Sequence, residues 1–350
     1  MRRAVLAVSC AALAWLSVAA PARADSPVHL RVLGGLANVS QFLRFERPFW
    51  EQRLRELSQG RLTAEIQPFD QAGLRAQEIL PLMRLGVVPF ANVLVSVAAA
   101  EEPEFNIADL PALNPDIATL RRHVERVRPY LAQLLAERYG VELLAIYTYP
   151  AQVLFCRRPF SGLGDLAGRR IRTSSVGQSE VVEALGATPV ITAFAEIVGA
   201  MRAGVVECAI TGTLSGNAIG LHEVTTHVHA MAISWGLSVF GAGRGAWEAL
   251  SEADRALLAT AIAGLERDIW EGAAREVEEG LACNAGRAGC TVGRPGRMQI
   301  VPVSPADSAR REQLLRETVL PRWIRRCGPD CAEAWNALMA EPTGITVRAQ

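Results

Sequence analysis

The sequence predicts an α/β protein of two lobes, each an open and mostly parallel sheet with helices on both faces. Three observations predict it. Strand-length apolar runs alternate with helical periodicities over residues 28–147. The same alternation resumes over residues 151–231. An export signal precedes both, and 350 − 24 = 326 residues follow it, enough for two domains of ordinary size.

Arg2 and Arg3 give the signal a charged start, residues 4–20 are apolar, and Ala22-Arg23-Ala24 is an A-x-A cleavage site. Cleavage near Ala24 places the mature chain in the periplasm. An uncleaved anchor is the competing reading, but the apolar run is short for a membrane span. Residues 28–33 then read as a first strand running into Gly34-Gly35. A helix starts near Ser40, aligns Phe42, Phe45 and Phe49 on one face, and stops at Gly60. Residues 63–69 alternate as a strand, and residues 74–85 form a helix closed by Gly86. Residues 88–97 are almost wholly apolar, as suits a buried parallel strand. Residues 116–140 form a helix that Pro129 should kink, and residues 141–147 a further strand.

The second half opens with a strand carrying Arg172. A helix, a short strand, a helix ending at Gly204 and a strand over 205–211 follow. Ser215 and Asn217 are expected to cap the next helix. Two such lobes in one exported chain make a clamshell whose ligand sits between them, at the carboxyl ends of the strands. Ser251 and Asp254 resemble a capping box, and helical periodicity then runs without a proline to about Ala282. Gly264 or Gly272 would ordinarily break so long a run. The tail gives one more helix near residues 310–326, expected to pack on the second lobe.

Composition excludes several chemistries. The chain has no lysine, so Schiff-base catalysis, a Walker-A lysine and a Ser-Lys dyad are ruled out, and cationic roles fall to arginine. Charge is near balance, with no basic block to hold nucleic acid. Six cysteines follow the signal, and an even number in an exported chain favours disulfides. Local closure suggests Cys283–Cys290 and Cys327–Cys331, with Cys156 and Cys208 joined across neighbouring strands. His227 and His229 share a strand face without an evident third ligand, so no metal and no cofactor is expected. Residues 212–216 lack the spacing of a hydrolase nucleophile elbow, and no H-E-x-x-H occurs.

Arg172 stands at the tip of an alternating strand beside Thr173 and Ser174, a ready fork for a carboxylate. Asp165-Leu166-Ala167-Gly168 leads to Ile171-Arg172. Glu183-Ala184-Leu185-Gly186-Ala187-Thr188-Pro189, Ala193-Phe194-Ala195-Glu196 and Ala203-Gly204-Val205-Val206-Glu207 follow. This series closely resembles the extracytoplasmic solute-binding proteins of TRAP transporters, and the likeness extends over nearly the whole mature chain. The resemblance implies a periplasmic binding protein, not an enzyme. It would capture a small organic acid and hand it to a membrane permease. It also implies that the long helix spans both lobes. Residues 25–149 with 237–278 would then form lobe I, and residues 150–236 with 279–350 lobe II. A monomer is expected. A ligand-sensing module for a membrane receptor is the alternative, and a secreted hydrolase a weaker one.

The same resemblance implies that Arg172 clamps the ligand carboxylate. Gln152 falls where many members carry a second arginine, which favours one carboxylate plus a hydroxyl, keto or amide group over a dicarboxylate. Thr211 falls at a ligand-contacting asparagine. Ser174 beside the arginine, Asn38 after the glycine turn, Glu78 on its helix and Phe194 are further candidates. Trp235 near the hinge reads equally as a ligand-facing wall or a packed hinge aromatic.

Overall fold

The computed structural model describes residues 27–348, so the signal segment lies outside the described residues. Two mixed sheets form the lobes. The first has the order β2-β1-β3-β10-β4, from β1 (Val28–Gly34), β2 (Leu62–Pro68), β3 (Phe90–Leu94), β4 (Val141–Thr148) and β10 (Leu237–Gly243). The second has the order β11-β9-β5-β8-β6-β7. It is built from β5 (Gln152–Cys156), β6 (Arg170–Thr173), β7 (Thr188–Ile191), β8 (Cys208–Gly212), β9 (His227–His229) and β11 (Gln299–Val301). Each sheet holds one reversed strand. β10 runs antiparallel to β3 and β4, and β5 antiparallel to β8 and β9. Both reversed strands are entered from the other lobe. They therefore begin at the cleft, where the remaining strands end.

The two crossings that feed them are bonded to each other. Gln152 N donates to Ser234 O (2.8 Å), Ile233 N to Gln152 O (2.8 Å) and Tyr149 N to Gly236 O (3.2 Å). Gly236 has φ +83°, and a Cβ there would lie 2.3 Å from Gln152 Nε2, so only glycine fits. Asp109 locks the same turn: its carboxylate accepts from Trp235 N (3.1 Å) and Gly236 N (2.8 Å). Asn114 joins this knot, taking the Trp235 indole N–H on its carbonyl (3.1 Å) and pairing its Oδ1 with His123 Nδ1 (2.7 Å).

The helix Glu252–Ala285 is unbroken over 34 residues, roughly 50 Å at 1.5 Å per residue. Ser251 Oγ caps it by accepting from Asp254 N (3.1 Å), and Gly286 ends it in the left-handed region. Its glycines serve contact and do not break it. A Cβ at Gly272 would meet the Phe45 ring of the first lobe at 2.4 Å, and one at Gly280 would meet Leu214 N of the second at 2.3 Å. Leu258, Ile262, Leu265 and Ile269 recur on one face and pack with Phe49, Trp50, Leu54 and the strands of the first sheet. The Pro129 helix runs from Ile117 to Tyr139 with Asp116 as its cap.

Disulfides join Cys156–Cys208, Cys283–Cys290 and Cys327–Cys331. The first links residues directly opposed in the β5–β8 register. The tail is helical over Pro305–Cys327 and again over Pro329–Leu338. It packs on the second lobe through Arg322–Glu183 (2.6 Å) and Arg326–Glu180, and it also reaches the Pro103 carbonyl through Trp323 Nε1 (2.7 Å). Ser215 and Asn217 correct an expectation. They lie inside the helix Thr213–Ala218, whose cap is Gly212, and Asn217 instead holds the backbone of Arg294.

Burial pushes the Asp109 carboxyl up to about 7, and burial pulls the His123 imidazole down to about 4. The signs oppose each other. The folded state holds the Asp109 proton more tightly than the unfolded chain, so this group adds stability as pH falls from about 7 toward 4. His123 removes stability as pH falls from about 6.5 to 4. Asp109→Asn should therefore lose up to about 1.4 kcal/mol per pH unit of acid-side gain relative to the parent. Urea denaturation of both proteins at pH 5.5 and 8 checks this, and parallel pH dependences would contradict it.

Candidate functional site

The site lies where the second sheet meets the hinge. Arg172 is one residue from the end of β6, is 3 % exposed, and its neighbour across the register is Ala209 of β8. Nε and Nη2 donate to Thr192 O (2.9 and 2.8 Å), and Nη1 donates to Ile210 O (2.8 Å). Three of five N–H donors are thus spent on carbonyls and two remain. Among the described residues no carboxylate pairs with this guanidinium, and burial alone pulls its pKa down to about 10. It stays charged at neutral pH, buried and without a counter-charge.

Thr211 shares the sheet face of Arg172, because it opposes Val153 while Arg172 opposes Ala209. It is buried. Gln152 opposes Gly212 and so leaves the sheet on the other face, and the two faces meet only at the cleft edge. Its Oε1 accepts from Gln178 Nε2 (2.6 Å) and its Nε2 points to Trp235 O (3.4 Å). Ser174 donates from N (2.9 Å) and Oγ (3.1 Å) to Gln178 Oε1. Phe194 is half-buried two residues past Thr192, on the loop that anchors the guanidinium.

The structure places the other candidates differently. Trp235 is buried in the hinge knot with its indole N–H on Asn114 O. Asn38 is exposed at the carboxyl end of the first sheet, on a loop pinned by Ala37 N to Asp70 Oδ1 (3.0 Å). Glu78 stands apart from this cluster, exposed and paired with Arg75 (Nε–Oε1 2.9 Å). His229 Nε2 faces Asp307 Oδ2 (3.3 Å), and His227 Nδ1 pairs with Thr226 Oγ1 (2.8 Å).

Sequence reasoning missed Gln178 and Ser234. Gln178 is the third residue of the helix Val176–Ala184, capped by Ser175, so Ser175-x-x-Gln178 is a legible capping-box signal. Also missed was Glu46, a buried carboxylate that accepts from Gly35 N (2.7 Å), Gln41 Nε2 (3.1 Å) and Asn92 Nδ2 (2.5 Å). Burial raises its pKa while those three bonds oppose the rise. It fixes the turn at the end of β1.

Replacing Arg172 by Met in the unliganded protein should change stability by less than about 1 kcal/mol. Relief of a buried, unpaired cation offsets the lost carbonyl bonds. Chemical denaturation without ligand measures this. A loss of several kcal/mol would show the arginine to be a structural clamp.

Two sheets joined at bonded crossings, with one buried cation that has no carboxylate partner among the described residues, make up the candidate site. Comparison with known proteins identifies the family. The family model described as bacterial extracellular solute-binding protein, family 7, matches residues 42–304. The chain is 24 % identical over 201 residues to the ectoine-binding periplasmic protein TeaA of Halomonas elongata, covering 56 % of this chain and 58 % of TeaA. It spans about half the length of the curated relatives it matches. Among solved structures it is similar to DctP7 of Bordetella pertussis, an extracytoplasmic solute receptor binding pyroglutamic acid. That match has TM-score 0.77 at 22 % identity, over 89 % of this chain and 99 % of that one. A TRAP periplasmic solute-binding protein from Desulfovibrio salexigens with bound orotic acid matches with TM-score 0.77 at 17 % identity, over 90 % and 98 %. With two hinged lobes, a shared long helix and a family match that runs from the first helix to the tail, the chain belongs to the bacterial extracellular solute-binding proteins of family 7.

Proposed function

We propose that this protein is the periplasmic receptor of a TRAP-type transporter, binding a small organic acid and delivering it to a membrane permease. The observation that carries the reading is Arg172: a buried cation with two free N–H donors and no carboxylate partner among the described residues. An incoming carboxylate supplies the missing charge through a two-point bond. Closure about the bonded crossings then excludes water and strengthens that bond. Binding and release need no bond-making step, so no catalytic residue is assigned. Gln152 and Thr211, the other candidates on this sheet, are uncharged, which favours one carboxylate over two. The acids described for DctP7 and the Desulfovibrio protein fit this class.

The test is a thermal-shift and calorimetry panel of mono- and dicarboxylates, 2-oxo, 2-hydroxy and heterocyclic acids, with Arg172→Met in parallel. A ligand at a hundred times its Kd should add about 2.7 kcal/mol to the parent. The variant should lose that gain while folding normally. A shift of equal size in both proteins would leave a binding protein and discard the clamp. No shift with any acid, in protein freed of co-purified ligand, would discard the acid.

A further inference from the structure

Resting on that reading of the site, we infer that Gln178 is a positioning residue that fixes the amide of Gln152 with its N–H edge toward the ligand. It thereby selects acids whose second group accepts a hydrogen bond. The orientation follows from obligatory partners at both ends of a relay. Ser174 N can only donate, so the Gln178 atom 2.9 Å from it is the oxygen. Nε2 of Gln178 therefore faces the other way, donating to Ser234 Oγ (2.9 Å) and to Gln152 at 2.6 Å. The atom of Gln152 that receives it is Oε1, and Nε2 of Gln152 is turned outward. Trp235 O, which can only accept, stands 3.4 Å from that same Nε2 and independently requires the same orientation.

The count of donors completes the argument. Gln178 is saturated: its oxygen accepts two bonds from Ser174, and both its N–H groups are used. Gln152 has one N–H directed at Trp235 O and one left over. Gln152 is half-buried and opens β5 at the cleft edge, and the inference assigns its spare N–H to the ligand. On this inference the cleft edge offers a neutral donor from β5, on the sheet face opposite that of the Arg172 fork. A keto or carbonyl oxygen near the carboxylate satisfies it. A ligand N–H at that place meets another N–H and leaves both unpaired.

The experiment uses three probes of similar size: 2-oxobutyrate, whose keto group only accepts; pyrrole-2-carboxylate, whose ring N–H only donates; and butyrate, which does neither. Gln178→Glu keeps the acceptor for Ser174 but has no N–H to give, so Gln152 must turn its own N–H inward and present oxygen to the cleft. The affinity of 2-oxobutyrate relative to butyrate should fall about tenfold, and that of pyrrole-2-carboxylate relative to butyrate should rise by a similar factor. Butyrate reports any general effect of the added charge. Gln178→Met, which frees the Gln152 amide to turn, should flatten both ratios. A contact measured without ligand completes the test. The side-chain N–H protons of Gln152 should show a nuclear Overhauser effect to Gly236 Hα in the parent and lose it in Gln178→Glu. Unchanged ratios, or a contact that survives the substitution, would overturn the inference. If the parent binds none of the three probes, the contact alone decides the orientation of Gln152, and the wider acid panel decides the receptor reading.

Discussion

The chain passes between its lobes through two crossings that are hydrogen-bonded to one another, and their direction sets the direction of every strand around them. A strand entered from the far lobe must start at the cleft and run away from it. β5 and β10 obey this, and each is inserted between strands that end where it begins. Loops at strand ends then gather at one place. Arg172 of β6 and Thr211 of β8 share one face near the cleft edge, and Gln152 opens β5 there on the other face, although the three are far apart in sequence. The Asp109 carboxylate holds the second crossing by its backbone N–H groups, so hinge and site share a boundary.

Electrostatics give that boundary its purpose. The second lobe buries a guanidinium and holds it by the carbonyls of Thr192 and Ile210. Carbonyl oxygens orient a cation and partly compensate it, but they do not neutralise it. In the proposed receptor the arrangement would be relieved by an anion of one charge. The neutral relay beside it adds direction without charge. A second guanidinium at the position of Gln152 would have demanded a second carboxylate.

Much of this was legible in the sequence, and the exceptions share a cause. Arg172 could be found because a strand-tip arginine follows from alternation alone, and the disulfide at Cys156 and Cys208 because both cysteines sit on adjacent strands. Gln178 could not, because its partners Gln152 and Ser234 come from a reversed strand and a hinge crossing that only the topology brings near. Glu78 looked like a free polar group on a helix. Its neighbour three residues back, Arg75, takes it up locally, as i, i+3 pairs do. Gly272 would break a helix on propensity alone, whereas the resemblance implied the unbroken helix that is found. The Phe45 ring occupies the space a side chain would need, and close approach outweighs the intrinsic cost of glycine.

The long helix ties the lobes a third time, and the spacing of its bonds has a mechanical result. Trp270 Nε1 is held by Ile146 O of β4 at 2.8 Å, and six residues on, the Glu276 carbonyl is held by Thr213 Oγ1 at 3.0 Å. Glu276 also faces the first lobe, its carboxylate 3.9 Å from Arg44 Nη1. Both lobes therefore take hold of the helix within about 9 Å of its length. The paired crossings act as a pivot, and a pivot alone has no preferred angle. In the proposed receptor, a stiff helix gripped by both lobes beside that pivot would act as a leaf spring and set the aperture at which the lobes rest.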